Sequence, residues 1–546
     1  MSNFAHHVSP VDYVMRRRLL ALICTYTVLF AACQIDDEMY SVYDVYYEHA
    51  FVTDSSSVLR SSAKYDSIAG VDDVSIRVKG GFEYAAGDIV GYGHCWAKGI
   101  VAPTINADRS NCKLNSGSMS SGENFYSTIS GLDCETEYSV RSFVITSDGK
   151  IGYNPQTQVV KTDVPHDKWF ESDGFFNNGI NSGRTDGINI VTVVDGDTLT
   201  IFGLGRAGDI CYSDVWCYSS KQRSYQQLPN LKDNYTNVEV PLWGASGFGL
   251  NYSERNIPHH LVYVGCGCTR AVNYQLSDYN KDFYVLDLDA TGKFKWERVQ
   301  YHGQEQNVQL KDKPFQGQAR TGGVGFSVGS WGFVGLGEYQ NSYDKDVHYH
   351  SDFYMFVMEM NINGGGMLEP TIGYFNQMTD DFDAGERSGA SVVVVDNIAY
   401  IMGGKGKNNI YYDEIIPCQF TEPLSGSPNS YTFLWGKRMQ VSSQLGDLFK
   451  PRAFGVAFSV DGKIYFGLGE ELDENGDKIY YSDMIQYDRN TTKFSLRSNY
   501  MNEDAPSSRV SRAMVINGGD RAFVTGGEKQ GSGITERNTS EWVYRP

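Results

Sequence analysis

The chain has 546 residues, 41% hydrophobic and 13% aromatic, with 58 Gly and 37 Tyr. That is the composition of a folded protein rich in strands and turns, and it argues against intrinsic disorder. The net charge of −19 argues against nucleic acid as a partner, because phosphate neutralisation needs concentrated Lys and Arg, and the body of the chain has no such stretch.

Residues 1–33 read as a processing signal. Met15-Arg16-Arg17-Arg18 is a basic start, and Met15 competes with Met1 as the first residue. The apolar run from Leu19 to Phe30 is too short to span a bilayer as a lasting helix. The run ends in Leu29-Phe30-Ala31-Ala32-Cys33, which resembles the cleavage box of bacterial lipoproteins, with Phe30 where that family usually has Leu. The resemblance implies cleavage before Cys33, a lipid on its sulfur, and contact with the membrane through that anchor only. An ordinary signal peptide with a chance Cys is the alternative. Gln34, Ile35, Asp36, Asp37 and Glu38 follow, similar to outer-membrane sorting and surface-export tags, so the expected location is the outer membrane, at the cell surface or facing the periplasm. Residues 34–44 are read as a tether. Eight Cys lie beyond Cys33, and their spacing sets no disulfide framework; Cys266 and Cys268 read as small buried hydrophobes.

Residues 45–163 show short alternating strands such as Val74–Val78 and Tyr138–Ile145, broken by Gly, Asn, Asp and Ser. Gly131-Leu132-Asp133, then Tyr138, Val140 and Arg141, resemble the tyrosine corner of fibronectin type III domains, in which a Tyr hydroxyl bonds upstream backbone. The resemblance implies an immunoglobulin/fibronectin III-like sandwich with Trp96 in a central strand and a closing strand at 157–162. It implies a spacer, with no site.

From 165 to 546 one unit recurs six times. A glycine element appears at Gly203-Leu204-Gly205, Gly265-Cys266-Gly267, Gly335-Leu336-Gly337, Gly403-Gly404, Gly467-Leu468-Gly469 and Gly526-Gly527. An Arg precedes it at Arg184, Arg320, Arg387, Arg452 and, in the sixth copy, Arg509 in preference to Arg512, whereas the second copy has Gly244-Ala245-Ser246-Gly247 instead. An acidic residue near an aromatic follows at Asp214, Asp282, Asp352, Asp413-Glu414, Asp483 and Glu541. A last strand carries Tyr225, Trp296, Phe375, Trp435 or Phe494. The sixth copy lacks a last strand of its own, and the segment around Trp169 is expected to supply it, closing the ring and removing two free sheet edges. Double glycines with downstream Asp, Tyr and Trp resemble kelch repeats. The resulting fold class is all-β: the sandwich followed by a six-bladed kelch-type β-propeller with galactose-oxidase-like long loops.

The kelch resemblance places Arg184, Arg320, Arg387, Arg452 and Arg509 around one channel entrance, as a ligand-binding funnel for anions. Bridging between neighbouring blades, through backbone carbonyls or the repeated Asp residues, is the competing reading. Copper chemistry of the galactose-oxidase kind is not expected: Tyr301-His302 and Tyr349-His350 do not match that family's positions, and His348 with His350 makes only two metal ligands. No cofactor and no metal are implied. The expected function is a binding module for a glycan or protein ligand at the loop face, with Tyr-rich loops such as 339–349 supplying contacts. Two alternatives stay open: a sugar-acid mutarotase or epimerase drawing on Glu338, Glu470 and His348, and a structural scaffold.

Overall fold

The computed structural model describes residues 50–546 apart from 53–57, 61–66, 73–74, 82–88, 117–123, 135, 148–150, 164–165, 173–182, 255–256, 290–293, 300–314, 341–345, 363–367, 379–381, 422–431 and 531–534. The expected signal, the expected lipidation site Cys33 and the expected tether lie outside the described residues, as do Tyr301 and His302. The chain forms two compact units, 1–163 and 164–546. Both are built from antiparallel sheets, and the described residues contain a single short α-helix, Ser442–Leu445. No described helix is long and apolar enough to cross a membrane.

In the first unit, Ser75–Gly81 buries Ile76 and Val78 on one face, as its alternation dictates. It pairs with Ser67–Asp72 and Asn124–Ile129. A second sheet runs Gln158–Lys161, Glu137–Thr146, Ile89–Lys98, Cys112–Ser116. Ile76, Val78 and Ile129 from one sheet and Tyr138 and Val140 from the other share a core, with Leu132 and Trp96 against it. The Tyr138 hydroxyl accepts the Asp133 amide at 3.0 Å, which fastens the strand to the loop before it.

Among the described residues the second unit contains six sheets with a four-strand path. Five are meanders from consecutive chain: 188–228, 246–298, 324–377, 391–435 and 456–497. The sixth joins Met514–Asn517, Ala522–Thr525 and Glu541–Arg545 to Lys168–Glu171, nearly four hundred residues away in sequence, with Trp169 opposite Tyr544. The first strands of successive sheets touch in a closed circuit, and Met514–Asn517 lies against Ile188–Val194.

Two rings of backbone hydrogen bonds seal this circuit. In the first, each sheet contributes one residue just before its first strand: Asp186, Gly244, Gly322, Gly389, Phe454 and Arg512. Each donates its amide to the carbonyl of the preceding one, and Asp186 donates to Arg512, at 2.7–3.2 Å. All six have φ between 53° and 66°. For Asp186, Phe454 and Arg512 that left-handed conformation costs roughly 1–2 kcal/mol each, opposed by a hydrogen bond worth on the order of 1 kcal/mol and by avoiding a buried unpaired amide.

The second ring starts from the glycine element. Gly205, Gly267, Gly337, Gly404, Gly469 and Gly527 donate to Leu242, Arg320, Arg387, Arg452, Val510 and Arg184 of the next sheet, at 2.7–2.9 Å. Only glycine fits here. At Gly205, with φ of 87°, a Cβ would lie 2.5 Å from the Thr185 carbonyl oxygen. The residue before it is also left-handed in every copy, being Leu204, Cys266, Leu336, Gly403, Leu468 or Gly526. The repeat is therefore a left-handed residue followed by Gly. In the fourth and sixth copies the first glycine stands where the others have Leu or Cys.

Candidate functional site

The expected arginine funnel is corrected by the structure. Arg184, Arg320, Arg387 and Arg452 are at most 2% exposed. Each donates to the acid of its own sheet: Asp214 at 2.7 Å, Asp352 at 2.8 Å, Glu414 at 2.9 Å and Asp483 at 2.7 Å. Each also donates to the carbonyl of the left-handed residue before the second glycine, at 3.0–3.2 Å. Aromatic faces close the cage, as with Arg387 on Tyr412 at 3.7 Å and Arg452 on Phe449 at 3.7 Å. The physical reason is desolvation: a buried guanidinium persists only with its charge and donors matched, and this cage supplies both.

Arg509 is a correction of register. The second backbone ring passes through Val510, which is fully buried, so Val510 occupies the Arg position of the sixth copy. Leu242 does so in the second. Arg509 lies at the surface against Asp504 at 2.9 Å. The arginine that reaches the axis from the sixth sheet is Arg512.

Below the first ring the axis is a narrow cavity of about 170 Å³ lined by backbone and small residues, in which Asp186 and Arg512 are the charged groups. The far end is lined by Asn189, Asn251, Asn397, Asn517 and short aliphatic side chains. The titratable chemistry is gathered on the near side of the ring, at the residue following the second glycine of each copy: Arg206, Cys268, Glu338, Lys405, Glu470 and Glu528. Each pairs by a backbone bridge with the residue before the axial ring. Short ribbons such as Glu338–Gln340 with Val347–Tyr349, and Glu470–Leu472 with Lys478–Tyr480, continue from these positions. Together they make a bowl around the axis.

Most of its charges are committed. Asp186 accepts from Arg206 at 3.1 Å and from Arg512 at 2.8 Å. Glu470 accepts from Arg512 at 2.8 Å, Lys478 at 3.2 Å and Ser511 at 2.6 Å. Glu528 is paired with Lys478 and lies 3.5 Å from Arg512. Arg206 lies 3.7 Å over the Trp243 ring and Arg512 3.5 Å over Phe454. Against the cost of burial, Arg512 and Lys478 hold the Glu470 carboxyl down at about 2, and Arg512 and Arg206 hold Asp186 low. A carboxyl depressed on folding contributes stability above its unfolded value, near 4.5, and that contribution is lost as pH falls through the folded value. Denaturant stability should therefore fall as the pH is lowered from 5 to 2, with Glu470 a principal contributor. In Glu470→Gln this acid-sensitive part should disappear, and an unchanged acid slope would contradict the assignment.

Glu338 and Lys405 differ. Among the described residues neither side chain makes an ion pair or a hydrogen bond, although each is half-buried and within electrostatic reach of the other. Burial pushes the Glu338 carboxyl up, against the pull of Arg512 and Lys405. Burial pushes the Lys405 ammonium down, against Glu338 and Glu470. Tyr349 lies near Glu338, Tyr411 lies 5.8 Å from the Lys405 Nζ, and Tyr274 feels both Glu338 and Arg206. Burial raises all three phenols, so each keeps its proton.

The remaining sequence candidates fall elsewhere. The Tyr339 ring stacks on His348 at 4.8 Å and on His350 at 5.5 Å, and His350 Nε2 contacts the Ala319 carbonyl at 3.1 Å. Cys266 and Cys268 are buried thiols, pushed up to about 12 and about 11 by desolvation. One trio with metal-ligand spacing occurs among the described residues, His259 with Asp287 and Asp289; one of its members, Asp289, already accepts from His260 at 2.9 Å. The bowl residues that sequence reasoning missed are Asp186, Arg206 and Lys405, while Arg512 was the alternative passed over for Arg509. Reading the column directly after the second glycine would have found Arg206 and Lys405 beside Glu338 and Glu470.

No family model and no curated protein matches the chain. Among solved structures it is similar to one titled "Structure of YjhT", at 13% identity and a TM-score of 0.39, over 66% of this chain and 93% of that one. It is also similar to a chain of "Cryo-EM structure of RAG in complex with one melted RSS and one unmelted RSS", at 11% identity and a TM-score of 0.39, over 67% of this chain and 97% of that one.

Proposed function

We propose that this is an outer-membrane lipoprotein, anchored by lipid at Cys33, in which a fibronectin type III-like spacer carries a six-bladed kelch-type β-propeller that binds a glycan or protein ligand in the bowl at one end of its axis. The closed circuit of six sheets, the two backbone rings and the sheet built from both ends of the unit 164–546 support the propeller reading. The tyrosine tie of Tyr138 to Asp133 supports the spacer. The address rests on the N-terminal sequence alone.

The observation that carries the binding function is the pair Glu338 and Lys405, which make no ion pair or hydrogen bond among the described residues, beside Asp186, Arg206, Glu470, Lys478, Arg512 and Glu528, which pair with one another. Folded proteins keep half-buried charges without partners where a ligand completes them, because the desolvation cost is otherwise unopposed. Tyrosines around the pair offer flat, amphipathic surface at low entropic cost.

A thermal-shift screen of polysaccharides, uronic acids, sialic acids and peptides on the intact chain tests this reading. A ligand at a hundred times its Kd should stabilise the protein by about 2.7 kcal/mol, and the effect should vanish in both Glu338→Gln and Lys405→Met. Glu338 is a group whose ionisation is opposed by burial, so Glu338→Gln should itself melt higher than the wild type at neutral pH, and the difference should close as the pH is lowered. Ligand stabilisation that survives both substitutions would place the site elsewhere.

A further inference from the structure

We infer that the ligand of the bowl is a compact zwitterion, a free amino acid or a short peptide with open termini, whose ammonium meets Glu338 and whose carboxylate meets Lys405. The inference rests on the binding reading above and narrows it.

The charge balance carries it. Among the committed groups, Asp186, Glu470 and Glu528 face Arg206, Lys478 and Arg512, and each of the six is held in at least one ion pair. They need nothing from a ligand. Among the described residues that follow the second glycines, what remains is one carboxylate and one ammonium, Glu338 and Lys405, on consecutive sheets, at the same position of the repeat. A simple anion would satisfy Lys405 and leave Glu338 desolvated beside a second negative charge. A simple cation would do the reverse, and a neutral sugar would cover both charges without opposing either. A ligand with one charge of each sign completes both. Charge-assisted hydrogen bonds to both groups then fix its direction in the bowl.

The alternative explanation is internal: Lys405 swings onto Glu338 in solution and the bowl is closed to ligands. This makes an opposite prediction, because Glu338→Gln would then remove a favourable pair and lower the melting temperature.

Isothermal titration of the intact chain with glycyl-tyrosine, N-acetyl-glycyl-tyrosine and glycyl-tyrosinamide separates the outcomes. The free dipeptide should bind at least ~10-fold more tightly than either blocked form, the scale of one charged hydrogen bond. Glu338→Gln should abolish the preference for the free amine and keep the preference for the free carboxylate. Lys405→Met should do the converse. Equal binding of free and blocked peptides, or a lower melting temperature in Glu338→Gln, overturns the zwitterion. If the dipeptides fail while a neutral glycan stabilises the wild type and not the two variants, the bowl remains the binding site and the ligand class is wrong. If nothing binds through Glu338 and Lys405, both readings fall.

Discussion

Deleting residues 165–175 is expected to abolish cooperative folding of the C-terminal unit, and Trp169→Ala alone to cost about 3–5 kcal/mol. Trp169 is 1% exposed and stacks on Tyr544 at 4.8 Å, with Tyr500 edge-on at 4.9 Å. Its indole N–H donates to the Ser498 carbonyl at 3.0 Å, and its backbone amide donates to Asn502 at 2.9 Å. One short strand thus fills the outer edge of the sixth sheet and also contacts the loop after the fifth. Its removal exposes the Glu541–Arg545 edge and a cavity the size of an indole, and neither can be covered by neighbouring chain. Urea unfolding followed by tyrosine fluorescence and far-UV circular dichroism reads the effect. A deletion variant that melts like the intact protein would mean that the circuit stands without this strand.

The second large effect belongs to the caged arginines. Arg452→Ala should destabilise by about 3–5 kcal/mol, because it leaves Asp483 and the Leu468 carbonyl without their donors inside the fold. Arg452→Leu combined with Asp483→Leu should recover most of that loss, since two apolar groups remove the unpaired charge along with its partner. The natural chain already contains copies without the Arg. The second copy has Leu242 at this position, and its acid, Asp282, pairs with Arg298 instead at 3.3 Å. The sixth has Val510, and Glu541 accepts from the Tyr225 hydroxyl at 3.2 Å. The fold therefore tolerates an apolar residue in the cage only where the acid finds another donor. A double variant as unstable as Arg452→Ala would show that the cage contributes through its shape rather than its charge.

These two effects differ in how far the sequence foretold them. The need for a donated strand was legible because it is a matter of counting: five last strands for six copies, and one unassigned aromatic segment near residue 169. The fate of the arginines was legible only as one of two readings, a funnel or a bridge to backbone carbonyls and the repeated Asp residues. A repeated Arg reads the same whether it points to solvent or to its own sheet, and only the position of Asp214, Asp352, Glu414 and Asp483 one strand away decides between them.

The sixth copy makes the same point at the level of register. Arg509 and Arg512 both lie near the expected position, and sequence spacing cannot choose between a surface residue and an axial one. The backbone ring through Val510 chooses, because a hydrogen bond to a carbonyl fixes phase to the residue while side-chain identity does not.

What the sequence determined by itself was therefore local and periodic: the alternating strands, the glycines that permit left-handed backbone and the number of copies. Each of these follows from the conformational limits of single residues and their neighbours. Which charges are satisfied was decided only by the tertiary structure. Glu338 and Glu470 occupy the same place in the same motif, yet one is ringed by Arg512, Lys478 and Ser511 and the other faces an open bowl. Partner geometry is a long-range property, set by how six sheets close around an axis, and no window along the chain contains it.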